Sequence, residues 1–224
     1  MPKIRRIAGL DALDEAIGRS TEMGRPIMYT TGMEGLTPPT FASLLILSYA
    51  GRSVARYDTR MIVALSQVIL LPICETIVRN AYVEEGKPDA FRAEDVRFLT
   101  TDQLGYATGV VGTLIREKCA SSLMFGLFQG EALIFCEAGF TAGAIQIAGT
   151  TSNSQLPFFI ATCDYTLIGE ELYAASAYLG KDRIRIATLI AQDFGKVVVI
   201  AVIGLGILLN LFNSTILTDL MTLY

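Results

Sequence analysis

Apolar and polar positions along the chain alternate between two rhythms. Leu10, Leu13 and Ile17 recur at helical spacing, and Gly24 with Pro26 closes that segment. PIMYTTG follows as a short apolar strand running into a glycine turn. Thr40 to Ser53 reads as a helix buried over most of its surface, entered after Pro38 and Pro39. MIVAL, residues 61–65, has the length and β-branched content of a fully buried strand. Pro72 suits the first turn of a helix reaching about Glu85, with Gly86 beyond it. VRFLT is the next strand, and Thr101 or Asp102 caps a helix running through GVVGTLIREK.

The same alternation continues through SSLMFGLF as a strand, GEALIFCEAGF as a short helix and AGAIQIAGT as a strand. LPFFIAT, residues 156–162, reads as a sixth strand, and TLIGEELYAASAYL as a helix capped by Asp164, with Glu170 and Glu171 near the favourable end of its dipole. Apolar strands alternating with helices predict an α/β fold with a mostly parallel, doubly wound sheet of about six strands. The link from Thr150 to Leu156 is too short for a parallel crossover, which needs a dozen or more residues. The 157–162 strand is therefore expected to run antiparallel to its predecessor or to lie elsewhere in the sheet; if it is antiparallel, Thr151 and Asp164 lie far apart.

The last apolar run is of a different kind. Val197 to Leu217, VVVIAVIGLGILLNLFNSTIL, meets the length of about 20 residues that a membrane helix requires. Lys181, Arg183, Arg185 and Lys196 precede it and only Asp219 follows, so the positive-inside tendency places the N-terminal part in the cytoplasm. The expected organisation is a cytoplasmic α/β domain over residues 1–180, a juxtamembrane amphipathic segment over 181–196, a transmembrane helix over 197–217 and a short tail. That is a single-pass, tail-anchored protein of the cell membrane, with the lipid bilayer as one partner.

Composition narrows the chemistry. Hydrophobic residues make up 52% of the 224, charged residues 18%, and the mean hydropathy is +0.47, apolar for a domain surrounded by water. A net charge of −4, with no cluster of Lys or Arg beyond Lys3, Arg5 and Arg6, argues against a nucleic-acid binder. The chain has no histidine, which removes the usual general base and any Ser-His-Asp arrangement. Cys74, Cys119, Cys136 and Cys163 lie far apart in apolar surroundings and read as unpaired buried thiols; with no CxxC pair they make no metal site. No catalytic residue, metal ligand or cofactor is assigned.

In open parallel sheets, ligands bind beyond the carboxyl ends of the strands. Those ends carry Thr31, Gly32 and Glu34; Ser66 and Gln67; Thr100, Thr101 and Asp102; Gln129, Gly130 and Glu131; and Thr150, Thr151, Ser152 and Asn153. GLFQGE occupies the place of a phosphate loop but lacks both GxGxxG and GxxxxGKS. If a ligand binds, Glu131, Thr150, Thr151, Ser152 and Asn153 are the residues expected to line its site, since they follow successive strands.

GAIQIAGTTSNSQLPFFIATCDYTLIGEELYAASAYL resembles the signature region of a prokaryotic membrane-associated domain family of unknown function. The similarity extends to RRIAGLDALDEAIGRSTEMGRPIMYTTG near the start. The resemblance implies an α/β domain paired with membrane helices. It carries over no catalytic residues, and an N-terminal span that it leads one to expect in some relatives would be missing here.

Two functions follow as expectations. The first is a membrane-tethered scaffold or assembly subunit, a homo-oligomer or a member of a larger membrane complex. The second is an enzyme or sensor that binds a nucleotide or another anionic metabolite at the carboxyl-end loops.

Overall fold

The structure, a computed structural model, describes residues 8–180 and 183–211. The chain divides into two compact units, Met1–Gly180 and Lys181–Tyr224. In the first unit the elements are α1 (Ala8–Met23), β1 (Ile27–Gly32), α2 (Pro38–Arg56), β2 (Met61–Leu65), α3 (Leu70–Glu84), β3 (Val96–Phe98) and α4 (Gln103–Arg116). They continue with β4 (Ser121–Leu127), α5 (Glu131–Ala142), β5 (Ile145–Thr150), α6 (Leu156–Thr162), β6 (Tyr165–Ile168) and α7 (Glu171–Gly180). The described part of the second unit is one helix, α8 (Arg183–Leu211).

All six strands pair in parallel, in the order β3-β2-β1-β4-β5-β6. The chain builds outward from β1 to β3, returns to lay β4 against β1, and builds outward again to β6. This is the strand order of Rossmann-like sheets, whose direction reverses between the first and fourth strands. Successive strand side chains serve opposite faces. Tyr29, Val63, Leu123, Phe125 and Ile147 pack with α1, α2, α3 and α7, whereas Met28, Ile62, Met124 and Ala148 pack with α4, α5 and α6. Both faces being covered explains why the strands read as apolar runs rather than as apolar–polar alternation.

The larger side chains lock each layer. On the α5 side, Phe128 stands edge-on to Phe135 and Phe159, with centroids 6.4 and 5.3 Å apart. Each fully buried ring of this size stabilises by about 1.5–3 kcal/mol. Tyr29 and Tyr106 are also fully buried, and each satisfies its hydroxyl by donating to a carbonyl, Ser43 O at 2.7 Å and Ala64 O at 3.1 Å. Local signals end the helices as expected. The Asp102 carboxylate accepts from Gly105 N at 2.7 Å to cap α4, and Gly143 takes φ 66° after α5.

Three sequence expectations change. LPFFIAT is a helix, α6, and the sixth strand is YTLI. β6 pairs with β5 in parallel, not antiparallel, because α6 and its flanking turns supply the crossover that seven residues could not. Asp164 precedes a strand rather than a helix, and its carboxylate accepts from Gln146 N at 2.8 Å near the start of β5. Thr151 follows the far end of that strand, so the two residues are separated, by a parallel topology rather than an antiparallel one.

The fourth correction concerns the membrane. Among the described residues no helix is long and apolar enough to cross one. The first part of α8 carries Arg183, Arg185, Asp193 and Lys196, and the apolar run after Lys196 is described as far as Leu211, with Asn210 within it. The remainder of the expected 197–217 span lies outside the described residues. The C-terminal transmembrane helix, and the single-pass membrane location inferred from it, are accordingly withdrawn.

At the reversal point β1 and β4 touch backbone to backbone. Their register shifts between Thr30 and Gly32, and Met33 N donates to Leu127 O at 3.0 Å. Gly32 has φ 81° and Gly126 φ 143°; a Cβ on Gly32 would lie 2.1 Å from Leu127 O, and one on Gly126 2.1 Å from Thr31 O. Gly126→Ala is therefore expected to destabilise by about 3 kcal/mol or more, from strained backbone and a clash between strands that cannot part. Urea unfolding followed by circular dichroism measures it; a loss under about 1 kcal/mol contradicts the close approach.

Candidate functional site

The carboxyl edge holds the residues that the sequence singles out as candidate ligand contacts, Glu131 and Thr150 to Asn153. Because β4 and β5 pair with Gly126 opposite Thr150, the crossovers beginning at Phe128 and at Thr151 leave the sheet side by side. Gly169 to Glu171, following β6, join them on the next strand. The sequence places 166–171 in a helix, which hides this third neighbour.

Glu131 opens α5 and is only 1% exposed. One of its carboxylate oxygens accepts from the Gln103 amide at 2.7 Å, and the other from Gln129 N at 2.9 Å. The first bond ties the start of α4 to the start of α5; the second closes the turn leaving β4. Burial, and then the Glu131 charge, push the Tyr106 phenol above its usual range, so Tyr106 remains a donor to the β2 carbonyl.

Thr150 is fully buried at the end of β5. Its hydroxyl accepts from Ser152 N at 3.1 Å, and its carbonyl accepts from Gly169 N at 3.0 Å. Thr151 and Ser152 are half-buried, and Asn153 is exposed. The Ser152 carbonyl accepts from Gln155 N and Leu156 N, which starts α6, while its hydroxyl lies 3.1 Å from that of Ser154. The polar groups of this loop thus build the turn between β5 and α6. Across the reversal point, Ser66 donates to Gly32 O and the Gln67 amide to Met33 O, each at 2.8 Å. These bonds fasten the β1–α2 turn to the end of β2.

What this edge offers a ligand is limited by charge and by donors. In a dinucleotide-binding sheet the phosphates sit on a glycine-rich turn at the N-terminus of the first crossover helix. Here that turn reads GMEGLT, and α2 begins with Pro38 and Pro39, which have no N–H to offer an anion. No Lys or Arg occurs in segments 33–37, 66–69, 99–102, 128–130, 151–155 or 169–170, whereas Glu34, Asp102 and Glu170 do. In these turns a negatively charged metabolite meets carboxylates and no Lys or Arg. Among the described residues no group of three or more Cys, Asp or Glu side chains is placed to hold a metal ion.

Cations gather at the opposite, amino edge. Arg60 bridges Asp95 at 2.6 Å and Glu117 at 2.9 Å, and Arg97 approaches the same two carboxylates at 3.4 and 3.6 Å. Beside them opens a cavity of about 230 Å³ lined by Arg60, Tyr82, Phe91 and Asp95. Hydrogen bonding to Asp95 is the first cause that raises Arg60 further above the usual guanidinium range. The four-membered network joins the entrances of β2 and β3 to the end of α4, partners scattered over nearly sixty residues of sequence. Residue spacing carried no sign of it.

Glu131→Ala strands the Gln103 amide and Gln129 N in a buried setting and is expected to cost about 2 kcal/mol; Glu131→Gln, which keeps an acceptor, should cost less. Chemical denaturation of both variants checks this. Equal losses would show that the carboxylate charge, not the two hydrogen bonds, matters to the fold.

A search of curated proteins and a search of solved structures each find no match to the chain. A family model described as Domain of unknown function (DUF6754) matches residues 2–221. With nearly the whole chain covered, the protein belongs to that family.

Proposed function

We propose that the protein is an assembly subunit that self-associates through α8, the α/β unit being the rigid body that the assembly arranges. The observation that supports this reading is the surface of α8. From Val197 to Ile207 every side chain other than hydrogen is exposed and apolar, with Ile200 69% and Ile203 56% accessible. A helix with one apolar stripe covers itself against a single neighbour; one that is apolar all round has to be surrounded. Each Val or Ile left in water forgoes about 1.5–3 kcal/mol of burial. Neighbouring copies of the same helix meet that requirement, and identical chains satisfy it equally in a closed symmetric bundle.

The carboxyl edge supports this reading over the metabolite-binding one. Glu131, Thr150 and Ser152 make hydrogen bonds that hold turns together, and the crossovers bring no cation to an anion.

Sedimentation equilibrium of the full chain tests the proposal against the double variant Ile200→Lys, Ile203→Lys, which places two charges on one face of α8. The parent is expected to be oligomeric at micromolar concentration and the variant monomeric, with the thermal transition of the α/β unit unchanged. A monomeric parent, or a variant of undiminished mass, overturns the reading.

A further inference from the structure

Two cysteines far apart in sequence meet in the fold. Cys136 lies in the buried stripe of α5 with Ala132 and Phe135, and Cys163 is the residue that ends α6. Their sulfurs are 3.7 Å apart, and either can donate to the other. All four cysteines are free and three are buried, in keeping with the sequence reading; Cys163 departs from it in being only half-buried, and it neighbours Cys136.

Gln146 of β5 holds the two segments in place. Its side-chain amide donates to the Cys136 carbonyl at 3.0 Å, and its backbone N–H donates to the carboxylate of Asp164, next to Cys163. Gly139, one turn beyond Cys136, leaves the room that the Gln146 side chain occupies; a Cβ there would lie 2.5 Å from it. The approach of the sulfurs is therefore built by three elements, not by a loose loop.

We propose that Cys136 and Cys163 form a redox-modification site, closing to an intramolecular disulfide at the expense of a low-molecular-weight disulfide such as oxidised glutathione. The Cys136 thiolate takes the proton of Cys163 across the contact, and the half-buried Cys163, now the thiolate, attacks one sulfur of the oxidant and expels the first thiolate, which takes up the Cys136 proton. The Cys136 thiolate then attacks Cys163 Sγ and expels the second. Two protein thiols lose two protons and two electrons, and one disulfide reagent becomes two thiols. Sulfurs at 3.7 Å need a modest rotation to reach the bonded distance of about 2.05 Å.

The other two thiols serve as internal controls. Burial pushes Cys74 and Cys119 up to about 12, so at neutral pH both are almost entirely protonated as well as inaccessible. The Cys136–Cys163 hydrogen bond instead lowers the pKa of Cys136 and raises that of Cys163, so the pair gives up its first proton from Cys136, below the usual thiol range. The consequence of closure is mechanical. β6 is the edge strand and α6 is only one short helix, and a bond across 27 residues fastens both to α5.

The test uses the full-length reduced protein with excess oxidised glutathione at neutral pH, followed by alkylation in denaturant. Free thiols are expected to fall from four to two, with a peptide containing Cys136 linked to one containing Cys163 and a raised thermal midpoint. Cys136→Ser should stop at the first step and accumulate one bound glutathione on Cys163, whereas Cys163→Ser should lose no thiol. Four free thiols after the parent is treated, a stable mixed disulfide on the parent, or linkage through Cys74 or Cys119 would each overturn the assignment.

Discussion

At the centre of the sheet, β1 and β4 approach where neither has a side chain. Gly32 and Gly126 each lie against a carbonyl of the other strand, in conformations that a Cβ would strain and at distances that it would violate. The sheet reverses direction here. Strands β2 and β3 extend to one side with α2 and α3 on one face; β5 and β6 extend to the other with α5 and α6 on the opposite face. Widening this junction would disturb Met33 N to Leu127 O, and with it the turn that Ser66 and Gln67 fasten from β2. The carboxyl edge is thus fixed from its middle outward, by backbone contact first and side-chain hydrogen bonds second.

That arrangement bears on function. A reversal point in such a sheet is where a crevice for a ligand usually forms. In this chain the turn beside it is closed by Ser66 and Gln67, the helix behind it starts with two prolines, and the adjoining Glu131 is bonded to Gln103 and Gln129. The architecture accounts for these polar groups, while the buried Thr31 hydroxyl and Gln155 side-chain oxygen have no hydrogen-bond partner among the described residues. The unmet physical demand lies in α8, where a run of Val, Ile and Leu side chains faces water around the whole helix. Hydrophobic burial is the term large enough to drive association, and α8 is where the chain offers it.

Most elements were legible in the pattern of residues because their signals were redundant. MIVAL is too short for a helix and rich in β-branched residues, and Asp102 followed by an apolar period marks a capped helix. LPFFIAT was not legible, because an apolar run of seven residues suits a buried strand and a short helix equally. Only Phe159 of that run is buried, and the following YTLI takes the sheet edge in its place. The same ambiguity misplaced Asp164, whose partner is the backbone of Gln146 rather than the next helix. Candidate residues at the strand ends were legible from topology, but what their side chains bond was not. Gln103 with Glu131, Arg60 with Asp95 and Glu117, and Cys136 with Cys163 are pairings made by the fold over 27 to 57 residues of chain. The apolar run after Lys196 was legible as apolar, but its reading as a membrane span rested on positions beyond those described.

Hydrogen–deuterium exchange at two protein concentrations, one above and one below the midpoint of assembly, tests the central claim most directly. If copies of α8 cover one another, amides at 197–207 should lose protection on dilution while those at 128–131 and 150–153 keep theirs. Dilution-independent protection at 197–207, with exchange at 128–131 and 150–153 changing instead, would place the interacting surface at the carboxyl edge and contradict the account.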